Sequence, residues 1–351
     1  MFQYAMSILV YRIYTCTCIY ISNFRYAASY IKCKLTDDRI PSAVSVVKTP
    51  CATPINIMKL LNTDHIDYTK LSGFGVCSAP LHSKFSNVDQ LVEHIEVNRI
   101  FGATSFTFYN FSMSDAVSKV LKYYMDQGLV DLIQWRVPLE KVYPPKVDGK
   151  EDIWYFGQLA ALNDCLYRNS QKVKYLVASD LDEFAVPHRN RSWGALLSSF
   201  KGHDSIFTFL NVFYPTDLPD DALTKRIDVL VKELNIKTLL NFRRTAYVWS
   251  IGDRSKNIVE IRAIVTLGIH NVWEKIRGKT RRVLTPSEGL LHHYRSDVGS
   301  LNQGRQTHAK INLNADDNLI VDRYINPLRG EIILNMRRAK KDLGLFEDLG
   351  A

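Results

Sequence analysis

An α/β fold built on a mainly parallel sheet is what this chain predicts, and three observations predict it. Strand-length apolar runs alternate with amphipathic helical stretches from Ser42 onward. Their order, β-α-β-α-β, favours right-handed crossovers between parallel strands. A further strand, Tyr175-Leu-Val-Ala178, leads into the acidic turn Asp180-Leu-Asp182-Glu183, at the strand end where open α/β sheets bind ligands.

The elements follow in order. Ala43 to Val47 reads as a strand, and Phe74 to Cys77 as another before Pro80. Val88 to Asn98 reads as a helix, with Leu91 and Ile95 on its apolar face and Gly102 after its end. Thr104 to Tyr109 alternates as a strand, and Ser114 caps a helix reaching Asp126. Gly128 ends that helix and Leu129 to Trp135 forms the next strand. A polar loop follows Pro138 and includes Gly149 to Glu151. Leu159, Leu162 and Leu166 make a helical stripe, with Gln158, Asn163 and Asp164 set off it. After the acidic turn, Pro187 closes a loop, Trp193 to Phe200 is a short helix, and Ser205 to Tyr214 is one strongly apolar strand. Val259 to Leu267 reads as a strand before Gly268-Ile-His270, and a turn region precedes Leu290 to Arg295. Leu328 to Leu343 is helical and basic.

Length and composition narrow the function classes. The 351 residues accommodate one large domain or two modest ones. A hydrophobic content of 46% with 23% charge excludes a disordered chain. The net charge of +9 is spread along the sequence. Zinc-finger spacing and RNA-binding aromatic motifs are missing, so phosphates of a nucleotide suit the charge and nucleic acid is not a partner. None of the six cysteines forms a C-x-x-C pair, so they serve disulfides of a secretory compartment or plain burial. Sequons at Asn110 and Asn190 point to the same compartment. Residues 7–22 are apolar but carry Arg12, leaving a weak membrane anchor, a buried strand or a truncated start as readings. The expected organisation is an N-terminal segment over 1–40, the main α/β domain over 41–300 and a basic helical tail over 301–351.

The acidic turn carries the chemistry. Asp180 and Asp182, two apart in an extended chain, project to one side, where both can reach a hard divalent cation. Three carboxylates in four positions repel one another unless a cation or donors relieve them.

A set of ordered motifs resembles glycosyltransferase family 92. They are Cys77-Ser-Ala-Pro80, Glu96-Val-Asn-Arg99 running to Tyr109, Trp135-Arg-Val-Pro138, Asn163-Asp164-Cys165, Asp180-Leu-Asp182-Glu183-Phe184, Gly268-Ile-His270 and His293-Tyr-Arg295. The resemblance implies a GT-A type glycosyltransferase fold, a Rossmann-like nucleotide-binding sheet joined to an acceptor-binding half. It also implies inverting transfer of a hexose, typically galactose, from a UDP-sugar donor to a glycan such as core fucose on N-glycans. Members are usually Golgi type II membrane proteins.

On that resemblance Asp180, Asp182 and His293 are expected to hold Mn²⁺ or another divalent cation, with His292 a rival to His293 and His270 open. Gln158 and Asn163 would contact the nucleotide, and Arg254 and Lys256 would face the diphosphate or lie in a solvated loop. The base that deprotonates the acceptor would come from Glu183, Glu274 or Asp297, with Glu274 preferred for lying in the acceptor half. Two other classes compete. Haloacid-dehalogenase-like phosphatases also end a strand in D-x-D, but Phe184 replaces their Thr or Val, and their later acidic motif is missing around Asp253. A non-catalytic glycan-binding relative would keep the fold and lose turnover.

Overall fold

The computed structural model describes residues 5–8, 16–19, 28, 30–33, 41–47, 49, 52–136, 154–219, 227–301, 312–313 and 318–347. The polar loop after Pro138, with Gly149 to Glu151, lies outside them.

The N-terminal strands are β1 (Ala5–Ile8), β2 (Cys16–Ile19), β3 (Tyr30–Cys33), β4 (Ala43–Val47) and β5 (Met58–Lys59). They pair β1 and β5 with β4, and β2 with β3. Where it is described, the apolar stretch 7–22 is therefore strand, and among the described residues no helix is long and apolar enough to cross a membrane.

The main body begins with β6 (Phe74–Cys77), α1 (Val88–Phe101), β7 (Ala103–Asn110), α2 (Asp115–Asp126) and β8 (Val130–Gln134). Ser114 caps α2 by accepting from the Val117 N–H at 3.3 Å. The αL glycine after α1 is Gly102, at φ 114°. Helix α3 (Gln158–Arg168) and β9 (Tyr175–Ala178) follow. Parallel pairing joins β8, β7, β6 and β9, so the expected parallel β-α-β core is present. Helices α1 and α2 cover one face over Leu91, Ile95, Leu121 and Phe106. Helix α3 covers the other with Leu162, Cys165 and Leu166.

Beyond β9 the expectations need three corrections. Pro187 does not close a loop: Glu183–Pro187 is a fully buried strand, β10. The apolar run 205–214 is two strands, β11 (Asp204–Phe209) and β12 (Asn211–Pro215). They change sheets at Leu210 because the run is apolar on both faces and can be buried in either sheet. The run 259–267 likewise divides into β14 (Lys256–Glu260) and β15 (Ile264–Leu267). Short helices α4 (Trp193–Ser198), α5 (Val229–Glu233) and α6 (Lys237–Leu240), with β13 (Arg243–Thr245), lie before β14. The chain continues through β16 (Val272–Lys275), β17 (Thr280–Val283), β18 (Gly289–Arg295), β19 (Leu319–Val321) and α7 (Arg329–Asp342).

The large sheet runs β17-β11-β14-β9-β6-β7-β8, with β14 antiparallel to both neighbours. A second sheet, β10-β18-β12, continues from the acidic turn. Gly289 begins β18 where a Cβ would lie 2.9 Å from the Val186 carbonyl and 2.8 Å from the buried Phe209 ring, so a side chain there would press the second sheet apart. The C-terminal helix is packed, with Ile332, Met336 and Lys340 buried and Lys340 bonded to Asp89 of α1.

Candidate active site

The acidic turn stands where the two sheets part. Strand β9 delivers the chain into it, and the Glu183 N–H donates to the Asp180 carbonyl at 3.1 Å. The segment is thus a turn rather than extended backbone, and Asp180 and Asp182 meet different partners. Asp180 accepts from the Gln158 amide at 3.1 Å and from the Lys256 ammonium at 2.9 Å. Gln158 is aimed there as the first residue of α3, following Gly157 at φ 76°. Lys256 begins β14, beside β9, with its side chain only 4% exposed.

Asp182 faces His293 instead, with Oδ2 3.3 Å from Nε2. The register explains the meeting, because β10 and β18 pair Glu183 with His293. On its other side the His293 Nδ1 lies 3.2 Å from the Asn211 side-chain oxygen, Oδ1, and 3.4 Å from Glu183 Oε1. Two acceptors at Nδ1 place the ring proton there and leave Nε2 a lone pair. That lone pair and the Asp182 carboxylate then face each other at 3.3 Å, an arrangement that a shared cation relieves.

Glu183 is 1% exposed and links the two halves of the cluster. Its Oε2 accepts from the Asp180 N–H at 2.9 Å and lies 3.1 Å from the Lys256 ammonium. Burial raises its pKa, with Lys256 opposing and Asp180 adding to the rise. For Asp180 burial also pushes up, but Lys256 and the nearby histidines outweigh it and hold the carboxyl below its usual range. Burial alone would lower Lys256; Asp180 and Glu183 reverse that and push it well up.

The turn opens onto a cavity of ≈ 640 Å³. One wall carries Arg254, His270 and Arg295; another carries Asn87, Gln90, Glu93 and Lys237. Among the described residues the buried Arg254 Nε and His270 Nδ1 have no hydrogen-bond partner; the Arg254 guanidinium lines the cavity and brings a positive charge to it. Burial, with Lys256 adding, takes the His270 pKa down to about 4. Glu93 is capped by the Lys237 and Thr238 N–H groups at 3.0 and 2.7 Å and serves to seat α6.

Of the residues expected at the site, Asp180, Asp182, Gln158, Arg254 and His293 all line the cavity. Lys256 does not lie in a solvated loop and does not face the cavity's open side; it is buried against the two carboxylates. Asn163 is displaced from the nucleotide role: its amide donates to the Leu267 carbonyl at 2.7 Å and accepts from the Leu267 N–H, holding β15 to α3. Glu274 lies on β16 opposite Thr266, outside the cavity lining, with its charge felt by Tyr167. His292 points to the opposite face of β18 from His293, by strand alternation. There its Nε2 lies 3.0 Å from that of His188, and His188 Nδ1 donates to the Pro286 carbonyl at 2.6 Å. Asp322 completes that group, already neutralised by Arg244 at 2.7 Å. The group is a hydrogen-bonded support beneath the site.

Sequence reasoning missed Asn211, Gln90 and Tyr155. Tyr155 and Phe156 hold φ of 44° and 56°, a strained entry to α3 beside the cavity, and nothing in their local sequence announces it.

Comparison with known proteins gives the following. The "Beta-1,4-galactosyltransferase galt-1" of Caenorhabditis elegans is 32% identical over 170 residues, 45% of this chain, and the match spans 37% of that protein. Among solved structures, the galactosyltransferase LgtC with donor and acceptor sugar analogs aligns over 54% of this chain and 58% of its own, at 10% identity and a TM-score of 0.25. The WbbM bifunctional glycosyltransferase aligns over 44% and 25%, at 11% identity and the same TM-score of 0.25. The family model of glycosyltransferase family 92 matches residues 72–335, the span holding the large sheet, the acidic turn and His293. With most of its length inside that match, the chain belongs to glycosyltransferase family 92.

Proposed function

We propose that this protein transfers a hexose, galactose by analogy with its curated relative, from a UDP-sugar to a glycan acceptor such as core fucose on N-glycans. One observation carries the reading: Asp182 and His293, from different parts of the chain, converge at 3.3 Å on a cavity that the Arg254 guanidinium also lines. Asp182 and His293 Nε2 fit a borderline divalent ion such as Mn²⁺. When bound, it would neutralise the charge growing on the departing diphosphate. Arg254 and Arg295 add fixed positive charge on the same wall. A β-linked product, as in the relative's name, made from an α-linked donor is inversion, so an acceptor base is required. The polar wall of Asn87, Gln90 and Lys237 offers hydrogen bonds suited to sugar hydroxyls.

A thermal-shift panel of UDP-sugars with and without Mn²⁺ tests this. UDP-galactose with Mn²⁺ should raise Tm, by about 2.7 kcal/mol of linkage at a hundred times Kd, while each alone does little. Equal stabilisation by UDP in EDTA would remove the metal from the reading. Hydrolysis of simple phosphate esters would favour the phosphatase class, and glycan binding without turnover the lectin-like one.

The compartment proposed is the secretory lumen, with Golgi membrane anchoring. A buried Cys77–Cys165 disulfide supports an oxidising location. In intact microsomes the native chain should resist added protease until detergent is present. Digestion without detergent would place it on the cytosolic side.

A further inference from the structure

Lys256 sits among the parts of the cluster, with Asp180 and Glu183, that the proposed reaction does not use. Its ammonium spans Asp180 at 2.9 Å and Glu183 at 3.1 Å, with its side chain 4% exposed. Gln158 takes the other Asp180 oxygen and the Asp180 N–H takes Glu183 Oε2. Each Asp180 oxygen thus already has a donor, whereas among the described residues Asp182 Oδ2 faces a histidine nitrogen. We propose that Lys256 is a built-in substitute for a second cation: it closes off Asp180 and Glu183, so that the exchangeable divalent ion is carried by Asp182 and His293 while Glu183 holds the His293 ring. This deepens the function proposed above and rests on it.

The argument is one of charge and place. Three carboxylates crowd the turn, and an ion drawn to all of them would have no defined seat. A resident ammonium occupies two of them permanently, and a lysine, as a compact point charge, suits that better than a planar guanidinium. Buried ion pairs contribute little net stability compared with apolar packing, so definition of the site, rather than strength of the fold, is what this pair supplies. Glu183 is then a positioning residue: with Asn211 it fixes the His293 proton on Nδ1.

The test is Mn²⁺ titration of the full chain, without nucleotide and then with UDP, followed by calorimetry or Mn²⁺ paramagnetic resonance. Lys256→Met unmasks two carboxylates and should tighten Mn²⁺ binding by about tenfold or add a second equivalent. Lys256→Met with Asp180→Asn restores the charge sum and should return to wild-type affinity. A purely structural lysine predicts a lower melting temperature with Mn²⁺ affinity unchanged, and that result would overturn the proposal. Should Lys256→Met fail to fold, Asp180→Asn alone decides. With Asp180 outside the ion's shell, affinity stays within about threefold of wild type; with Asp180 a ligand, it falls as far as in Asp182→Asn. A wild-type chain that binds no Mn²⁺ in either condition overturns the functional reading as well, which separates the two failures.

Discussion

Replacing Asp182 with asparagine should lower sugar transfer by about a thousandfold, equivalent to about 4 kcal/mol of transition-state stabilisation. The same change should abolish Mn²⁺-dependent UDP binding. Asparagine keeps the shape of the side chain but removes the charge facing His293 Nε2 at 3.3 Å. The Asp182 side chain is 30% exposed, so the variant should fold normally, with Tm within about 2 °C of wild type. Radiolabelled or coupled transfer assays read the first effect and calorimetry the second. A variant that still binds UDP only with Mn²⁺, at wild-type strength, would show that Asp182 is not a ligand.

The second large effect is on stability. Cys77 ends β6 and Cys165 sits in α3, and their disulfide closes a separation of 88 residues behind the acidic turn. A loop of that size is worth about 4.5 kcal/mol in the unfolded-chain entropy account. For a chain of this length, that corresponds to a fall in Tm of about 6 °C. The Cys77→Ser, Cys165→Ser double variant should show it in a melting scan, and wild type with excess reductant should approach the variant. Thiol alkylation before reduction should leave Cys77 and Cys165 unlabelled. Labelling of both in natively isolated protein, together with no loss of Tm on reduction, would remove the disulfide from the account.

Much of the large sheet was legible because its signals are local. The apolar run 175–178, the Ser114 cap and the glycine after α1 each specify structure within a few residues, and each lies where expected. Those expectations failed where local pattern carried no side information. A strongly apolar run such as 205–214, whose polar residues Ser205, Thr208 and Asn211 fall on no single face, does not show which sheet buries it, so the break at Leu210 was invisible. Lys256 sits in the polar stretch Asp253-Arg-Ser-Lys256-Asn, and its burial follows only from β14 lying beside β9. Asn163 looked like a polar helix face, yet its amide binds backbone 104 residues away. The turn at Asp180–Glu183 was legible as acidic but not as a division of labour, because its partners come from β14 and β18. Glu274 was preferred for its place in the chain, and chain position does not determine which way a short hairpin faces.

The pairing of Glu183 with His293 across β10 and β18 also sets a timetable for the ribosome. Asp182 emerges 111 residues ahead of His293, by subtraction of their positions, which is roughly 6–20 s of synthesis. Lys256 arrives after 74 of those residues by the same count. The internal ammonium is therefore available to the acidic turn before its histidine is, and chains stalled or cleaved before residue 289 lack the β18 strand that carries His293. Until residues 289–295 have been made, the second sheet is without its central strand.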